Sequence, residues 1–419
     1  MAEQVWQGQA PGRLDFMGGV ADYSGSLVLQ TPISAATRVA ITERAEAELQ
    51  LTSKQESPLN PLPLGWLRDL STQPNSAWRE QLDEKRIPRW ARYPLGCLLL
   101  FSQAHDWWPT HGLNIEVESD VPTSMGVSSS AALEVATLRA LEQLSGLSFA
   151  GTERAKLAQR AENEIVGAPC GLMDQLASSH GVAGTLLPIL CRPDILGAPI
   201  PLPDGVLVVG WPSGVKHDVA DSPYATARTA AFMGKKILEG ALSTPLSFLT
   251  ELSPSQLGKF SDDVLPPSLT GEEFLTRYTA VDDPLSVVHP PRTYPLRAGA
   301  SFPVNENFRC QLAAQLLQSC ADANRANAHQ EEALRSVGEL MVQSHRGYSS
   351  IGLGCDQTDV MVEAVQELGP SHGFYGARVS GGGSGGTVVV LLKQSSLPQL
   401  QSLATRICGT STAPWPLIR

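Results

Sequence analysis

Concentrated positive charge and long apolar runs are both missing from this chain of 419 residues. Charged side chains make up 17% of it, the net charge is −11, and Lys and Arg are scattered. A nucleic-acid-binding protein carries a clustered basic surface, so that class is excluded. The apolar stretches, such as residues 95–101, are too short to cross a bilayer, and the first residues resemble no secretory signal. We therefore expect a cytoplasmic protein that acts on neither nucleic acid nor membrane.

Cysteine is present without the patterns that give it a structural role. The seven cysteines are an odd number, with no Cys-x-x-Cys pair and no zinc-type spacing to histidine. Reduced thiols in a reducing compartment are the expected state. A disulfide scaffold and a thiolate metal site are both disfavoured.

Three common catalytic motifs are absent or stand in the wrong context. Gly381-x-Gly383-x-x-Gly386 matches the dinucleotide pattern, but the following residues predict a strand where that site needs a helix. The Gly-x-Ser-x-Gly around Ser384 fails as a hydrolase elbow for the same reason, and no histidine follows it. No Gly-x-x-x-x-Gly-Lys-Ser/Thr exists, which excludes a P-loop enzyme.

Strand and helix patterns are mixed without regular alternation, which predicts an α+β fold in two lobes. We place the lobes at residues 1–195 and 196–419. Residues 243–305, rich in Pro, Ser and Asp, read as a linker or loop-rich insertion. The patterns predict strands at 112–122 and 205–211, a hairpin within 376–393, and helices at 128–146, 152–166, 172–180, 223–240, 307–319, 328–347 and 356–368.

The strongest local signal is VPTSMGVSSSAALEVA, residues 121–136. A loop with Gly126 and three successive serines leads into a predicted helix. Free backbone N–H groups and the positive helix end favour an anion there, and serine hydroxyls can hold Mg²⁺. A simple serine cap needs only one hydroxyl, so this pattern modestly favours phosphate.

Two other segments strengthen that interpretation. Asp174 lies in an apolar run, where an unpaired carboxylate is costly, so it needs a partner such as Arg13. Residues 377–390 contain a glycine-rich turn whose conformational entropy is expensive without a purpose. It could close over a bound ligand.

Together these motifs resemble the galactose, homoserine, mevalonate and phosphomevalonate (GHMP) kinase superfamily, and its galactokinase branch over nearly the whole chain. Pro11-Gly12-Arg13 and Asp22-Tyr23 match the opening galactokinase segment, and the residues from Cys170 to Gln175 match Cys-Gly-(Ile/Leu)-Met-Asp-Gln. PRWARY (88–93) and GVKHDVADSPYATAR (214–228) resemble the adenine and sugar segments. The resemblance implies a ribosomal-protein-S5-like N-terminal lobe, a ferredoxin-like C-terminal lobe and an active site in the cleft between them.

The same resemblance implies ATP and Mg²⁺ as partners of a sugar 1-kinase. Asp174 would act as general base or electrostatic anchor at the anomeric hydroxyl, and Arg13 would stabilise charge; oligomeric state, monomer or homodimer, stays open. The implied sites are ATP at Trp90, Pro122, Gly126, Val127, Ser128, Ser129, Ser130 and Ala131; metal at Ser130 and Glu162; sugar at Gly19, Val20, Asp22, Cys170, Gly171, Asp174 and Tyr224; and a closing loop of Gly381, Gly382, Gly383, Gly385 and Gly386.

One departure bears on the substrate. Galactokinases usually read Gly-Glu-His-Thr-Asp-Tyr, whereas this chain has Gly19 and Val20 in place of the Glu-His pair that contacts the hydroxymethyl group of galactose. L-Arabinopyranose has the same ring stereochemistry without that group. The segment also looks like the kinase region of plant L-arabinokinases, so we expect an L-arabinokinase. Galactokinase is the first alternative, and a non-catalytic sugar sensor with the kinase fold is the second.

Overall fold

The computed structural model describes residues 4–168, 170–192, 194–215, 223–320 and 327–408. The chain divides into two compact units. The first unit contains the chain up to Arg13 with Pro32–Thr123 and Ser128–Gly181; the second contains Leu14–Thr31, Ser124–Val127 and the chain from Val182 onward. The lobes expected at 1–195 and 196–419 are continuous segments, and they stay a prediction.

In the first unit, helices pack with strands around one large apolar core. β5 pairs antiparallel with the later part of β2, from Thr37 opposite Ser119 to Arg44 opposite Gly112, and β3 pairs parallel with β5. β1 and β2 each cross from one unit to the other. The elements are β1 (Trp6–Met17), β2 (Leu27–Arg44), β3 (Glu48–Ser53), β4 (Leu62–Pro63), α1 (Leu64–Ser71), α2 (Asn75–Glu84), α3 (Arg89–His105), β5 (Gly112–Ser119), α4 (Ser129–Ser145), α5 (Gly151–Arg160) and α6 (Met173–His180).

Helix α4 shows how local sequence sets these elements. Its apolar positions, among them Val135 and Leu138, are fully buried, as the predicted amphipathic pattern requires. The helix ends at Gly146, whose φ of 70° is the left-handed conformation that glycine adopts without a side-chain penalty. The helix predicted at 128–146 is confirmed.

The second unit contains a separate antiparallel sheet. β13 lies between β12 and β9 and pairs antiparallel with both, so the predicted hairpin is confirmed. The elements are β6 (Thr185–Leu190), β7 (Ile195–Leu196), β8 (Ile200–Pro201), β9 (Val206–Pro212), α7 (Pro223–Leu242), α8 (Pro254–Leu257), β10 (Leu269–Thr270), α9 (Gly271–Leu275), β11 (Thr293–Tyr294), α10 (Leu296–Cys320), α11 (Asn327–Ser350), α12 (Asp356–Leu368), β12 (Phe374–Val379), β13 (Thr387–Lys393) and α13 (Leu397–Cys408).

The loop-rich interpretation of 243–305 is wrong at its C-terminal end. Helix α10 begins at Leu296 and continues through Pro303, although proline removes a helical hydrogen bond. Burial explains the outcome, because Leu296, Ala300 and Val304 lie in a core that also contains Phe274. Tertiary packing overrides the local preference here.

The cysteines and the helix lengths bear on two expectations drawn from composition. All seven cysteines are free thiols. Within the described part of the chain, no helix has both the length and the apolar character that a bilayer crossing demands.

Candidate active site

The loop before α4 has the backbone of an anion site. Ser124, Gly126 and Ser128 all have positive φ, at 59°, 69° and 59°. Such alternation can turn successive N–H groups toward one concave side. Ser128 precedes the helix but makes no side-chain cap, and its Oγ is buried with no hydrogen-bond partner among the described residues. A buried hydroxyl in this state is suited to a ligand that supplies the missing partner.

Arg13 and Asp174 form a close ion pair inside the first unit. The Nε and Nη2 atoms of Arg13 donate to the same carboxylate oxygen, Oδ1, at 2.9 and 2.7 Å. Arg13 is 3% exposed and Asp174 is 24% exposed. Asp174 stands in the first turn of α6, where the positive helix end also favours a carboxylate. The predicted pairing is confirmed, and the carboxylate remains accessible.

A second group of carboxylates lies buried in the same unit. Glu134 on α4 is fully buried, and Glu162 is 7% exposed. The side-chain amide of Gln175 donates to both, at 3.1 Å to Glu134 and 2.8 Å to Glu162. The second oxygen of Glu134, Oε1, is buried without a partner among the described residues.

The pKa values of these two carboxyl groups record the cost of their burial. Burial, with the added repulsion of Asp174, raises the pKa of Glu162 to about 7. Burial and the nearby Glu162 raise the pKa of Glu134 well above its ordinary value. A cation bound beside the two carboxylates would offset the repulsion between them, so the pair favours a cation site.

The donors around Glu162 suit Mg²⁺. The Ser130 side chain hydrogen-bonds to Glu162, which brings two hard oxygen atoms together. Over the described ranges, no group of three or more His, Cys, Asp or Glu is arranged to hold a metal ion. Mg²⁺ ordinarily takes one or two carboxylates and completes its shell with water and phosphate oxygens, so the set fits.

Cys170 and Gly171 lie beside this cluster. The thiol of Cys170 donates to Glu162 at 3.5 Å, and its backbone N–H donates to Asn163 at 2.8 Å. Burial and the neighbouring carboxylates raise the pKa of the Cys170 thiol well above its ordinary value. The protonated thiol is therefore the favoured form.

Trp90 lies in the first turn of helix α3 and packs against the core of the first unit. Its indole Nε1 is buried without a hydrogen-bond partner among the residues described. An unused buried donor is a candidate contact for a ligand. Of the other predicted ATP residues, Pro122 and Val127 are buried, Ser129 opens α4, and Ala131 is fully buried, so that only its backbone can serve.

The segment Gly19–Ser24 forms a 3₁₀ turn in the second unit. Asp22 is 6% exposed, and its carboxylate accepts the N–H of Tyr23 at 2.7 Å. The ring of Tyr23 meets the ring of Tyr224 edge-on, with centroids 6.1 Å apart. Three predicted sugar residues, Val20, Asp22 and Tyr224, thus belong to one neighbourhood of this unit. Residues 216–222 of the predicted sugar segment lie outside the described residues.

The glycine-rich turn after β12 is a constrained structure. Gly381, Gly383, Gly385 and Gly386 all have positive φ, between 66° and 115°. A Cβ on Gly386 would lie 3.1 Å from the backbone oxygen of Met125, and Thr387 Oγ1 donates to that same oxygen at 2.8 Å. The turn therefore lies against residues 124–127 within the second unit, and Gly382 continues it.

The sequence interpretation missed a buried ion pair at the end of β1. Asp15 and Arg378 are both fully buried and lie 2.9 Å apart. The Asp15 carboxylate also accepts the side-chain amide of Gln30 and the N–H groups of Gly19 and Gly381, at 2.7, 3.0 and 3.2 Å. All four bonds arise within the second unit.

The missed residues differ in how well they could have been found. Glu134 interrupts an apolar helix face, and the argument applied to Asp174 would have identified it. Asp15 stands between the apolar residues Leu14 and Phe16, which is the same signal. Tyr348, whose hydroxyl accepts the N–H of Val20 at 3.2 Å, gave no local signal at all.

Comparisons with known proteins agree with this arrangement. The family descriptions "GHMP kinases N terminal domain" and "GHMP kinases C terminal" match residues 92–182 and 326–404. L-Arabinokinase of Arabidopsis thaliana is 34% identical over 94% of this chain, which spans only 43% of that relative's length. Galactokinases of Chloroflexus aggregans and Homo sapiens are each 31% identical over 96% of this chain, covering 87% and 88% of their own lengths.

Solved structures share the fold at lower identity. Lactococcus lactis galactokinase complexed with galactose superposes with a TM-score of 0.74 at 19% identity, covering 97% of this chain and 90% of that one. Methanococcus jannaschii mevalonate kinase gives 0.58 at 15% identity, with 97% and 95% covered. The expected α+β GHMP kinase fold is confirmed. The chain therefore belongs to the GHMP kinase family, together with these galactokinases and the plant L-arabinokinase.

Proposed function

We propose that the protein is an ATP-dependent sugar 1-kinase that converts L-arabinose into L-arabinose 1-phosphate. The family supports a phosphotransferase, and the similarity to both L-arabinokinase and galactokinases supports a sugar as acceptor. The choice of L-arabinose over D-galactose depends on one feature of the second unit.

That feature is the apolar character of positions 19 and 20. Gly19 has no side chain, and Val20 is 2% exposed in an apolar cluster with Ala227, Phe302 and Tyr348. Neither position can offer a side-chain hydrogen bond to a hydroxymethyl group. A site built around such a hydroxyl rejects a sugar lacking it by roughly 10⁴-fold, because its polar groups are left unpaired. Their absence removes this penalty for a pentose.

The chemical step would use the ion pair of the first unit. The anomeric oxygen forms a bond to the γ-phosphorus of ATP while the bond from that phosphorus to the ADP oxygen breaks. Asp174 either accepts the anomeric proton or anchors the hydroxyl electrostatically, and both roles are compatible with its exposure of 24%. Arg13 holds the carboxylate in place and contributes positive charge, which phosphoryl transfer requires.

The loop before α4 would bind the ATP phosphates. Its backbone N–H groups and the unpartnered hydroxyl of Ser128 are the contacts we assign to them. Ser130 and Glu162 would hold Mg²⁺, which when bound supplies charge neutralisation. Trp90 would contact the adenine, and the glycine turn from Gly381 to Gly386 would cover the phosphates.

An ATP-consumption assay over L-arabinose, D-galactose and D-fucose tests the proposal. D-Fucose carries a methyl group in place of the hydroxymethyl and therefore separates bulk from hydrogen bonding. We expect the highest kcat/KM for L-arabinose. A higher value for D-galactose would assign the protein to the galactokinases instead, and sugar binding without turnover of any of the three would identify a sensor.

A further inference from the structure

Gly19 lies where no side chain has space. A Cβ built on it would be 1.7 Å from the hydroxyl oxygen of Tyr348 and 2.8 Å from Oδ2 of Asp15. Both distances are far below van der Waals contact. Its φ of +39° is also a conformation that residues with a Cβ rarely adopt. The space beside Gly19 is therefore filled by Tyr348 and Asp15 rather than empty.

Tyr348 is fixed in that space from all sides. It is fully buried, its ring meets Phe302 edge-on at 5.3 Å, and the Arg378 guanidinium lies 5.1 Å from its centroid. The hydroxyl accepts the N–H of Val20 at 3.2 Å and donates to the carbonyl of Gly381 at 2.7 Å. Burial raises the pKa of Tyr348 well above its ordinary range, so the hydroxyl keeps the proton that it donates.

The carboxylate of Asp15 also holds the segment Gly19–Ser24 and the glycine-rich turn together, as the Tyr348 hydroxyl does. Its carboxylate accepts N–H groups from Gly19 at 3.0 Å and from Gly381 at 3.2 Å. Two buried side chains thus join the segment that begins at Gly19 to the glycine-rich turn. A movement of Tyr348 that made room at position 19 would break both hydrogen bonds of its hydroxyl.

We propose that Tyr348 is a positioning residue for substrate choice: its hydroxyl fills the volume beside Gly19 and holds the backbone of Val20, which closes position 19 to any side chain. The inference depends on the proposed function for the identity of the sugar, a pentopyranose without a hydroxymethyl group. Tyr348 does not touch the sugar. It acts through the backbone of the segment Gly19–Ser24.

The kinetic test is Tyr348→Phe, which removes the hydroxyl and keeps the ring. We expect the ratio of kcat/KM for L-arabinose to that for D-galactose to fall by about tenfold or more, through KM for the sugar. The two sugars are compared at saturating ATP, because the hydroxyl also holds Gly381 of the turn assigned to the ATP phosphates. The matched control is Tyr294→Phe, since Tyr294 is also fully buried in the second unit and its hydroxyl accepts the N–H of His289 at 2.9 Å. A ratio that stays the same in Tyr348→Phe would overturn the proposal, as would an equal change in the control.

A stability test works whichever sugar the enzyme uses. Thermal unfolding is measured for the wild type, Gly19→Ala, Tyr348→Phe and the double variant. Because the shortest contact is with the hydroxyl, Gly19→Ala should lower Tm less in the Tyr348→Phe background than in the wild type, while the contact with Asp15 and the backbone strain remain in both. Equal shifts in both backgrounds would overturn the steric claim. If the wild type prefers D-galactose, the proposed function fails while this cycle still decides whether Tyr348 fills position 19.

Discussion

The two units bury carboxylates in opposite ways. In the second unit, Asp15 is fully buried, and its carboxylate accepts hydrogen bonds from Arg378, Gln30, Gly19 and Gly381. In the first unit, Glu134 and Glu162 share one amide group of Gln175, and burial raises the pKa of both. Both carboxylate oxygens of Asp15 accept hydrogen bonds, whereas Oε1 of Glu134 is buried without a partner among the described residues. An unused buried acceptor beside a second carboxylate is suited to a cation that supplies the missing partner.

The largest expected effect comes from the accessible carboxylate of the first unit. Asp174→Asn keeps the shape and one acceptor for Arg13 but removes the negative charge. We expect kcat to fall by about 10²–10⁴-fold, the usual contribution of a general base, while ATP binding stays largely intact. Steady-state kinetics and nucleotide titration measure the two quantities. Asp204→Asn, at an exposed turn, controls for the lost charge. Ordinary turnover by Asp174→Asn would refute the assigned role.

The next effect tests the buried ion pair of Asp15 with Arg378 in the second unit. Asp15→Asn leaves the charge of Arg378 buried without its partner and places an amide group among donors. Breaking a buried pair in this way costs about 3–5 kcal/mol in the free energy of unfolding. Denaturant unfolding measures it. Asp120→Asn is the control, because its pair with Arg38 is exposed to solvent and contributes little. Equal losses in the two variants would remove the distinction drawn between buried and exposed pairs.

The smallest effect on stability is expected at the Ser128 hydroxyl, which forms no hydrogen bond with the described residues. Ser128→Ala removes a buried hydroxyl that has no partner among the described residues, so no hydrogen bond is lost and the free energy of unfolding should change by less than about 1 kcal/mol. KM for ATP should nevertheless rise by roughly twofold to tenfold, the value of one hydrogen bond. Ser344→Ala is the matched control, since the buried Ser344 hydroxyl donates to Glu306 at 2.6 Å. It should cost about 1.5–3 kcal/mol and leave KM for ATP unchanged. A Ser128→Ala variant with normal KM would contradict the phosphate site.

The sequence alone determined the family, the main elements and one contact of the site. Ordered motifs carry the resemblance, and helix α4 and the hairpin of β12 and β13 follow from short-range patterns of apolar residues and glycine. The pairing of Asp174 with Arg13 could be predicted because a carboxylate in an apolar run requires a partner. Each of these features is encoded within a short segment or follows from the free-energy cost of burying a single charged residue.

Only the tertiary structure decided what occupies position 19. The sequence shows Gly19 as a missing side chain, whereas the fold brings Tyr348 to it from 329 positions further along the chain. The partner of Asp15, Arg378, is equally remote. Local propensity carries no information about which distant side chain will fill a given volume, because that depends on how helices and strands pack into a close-fitting interior. Packing therefore turned an apparent absence into a specific contact.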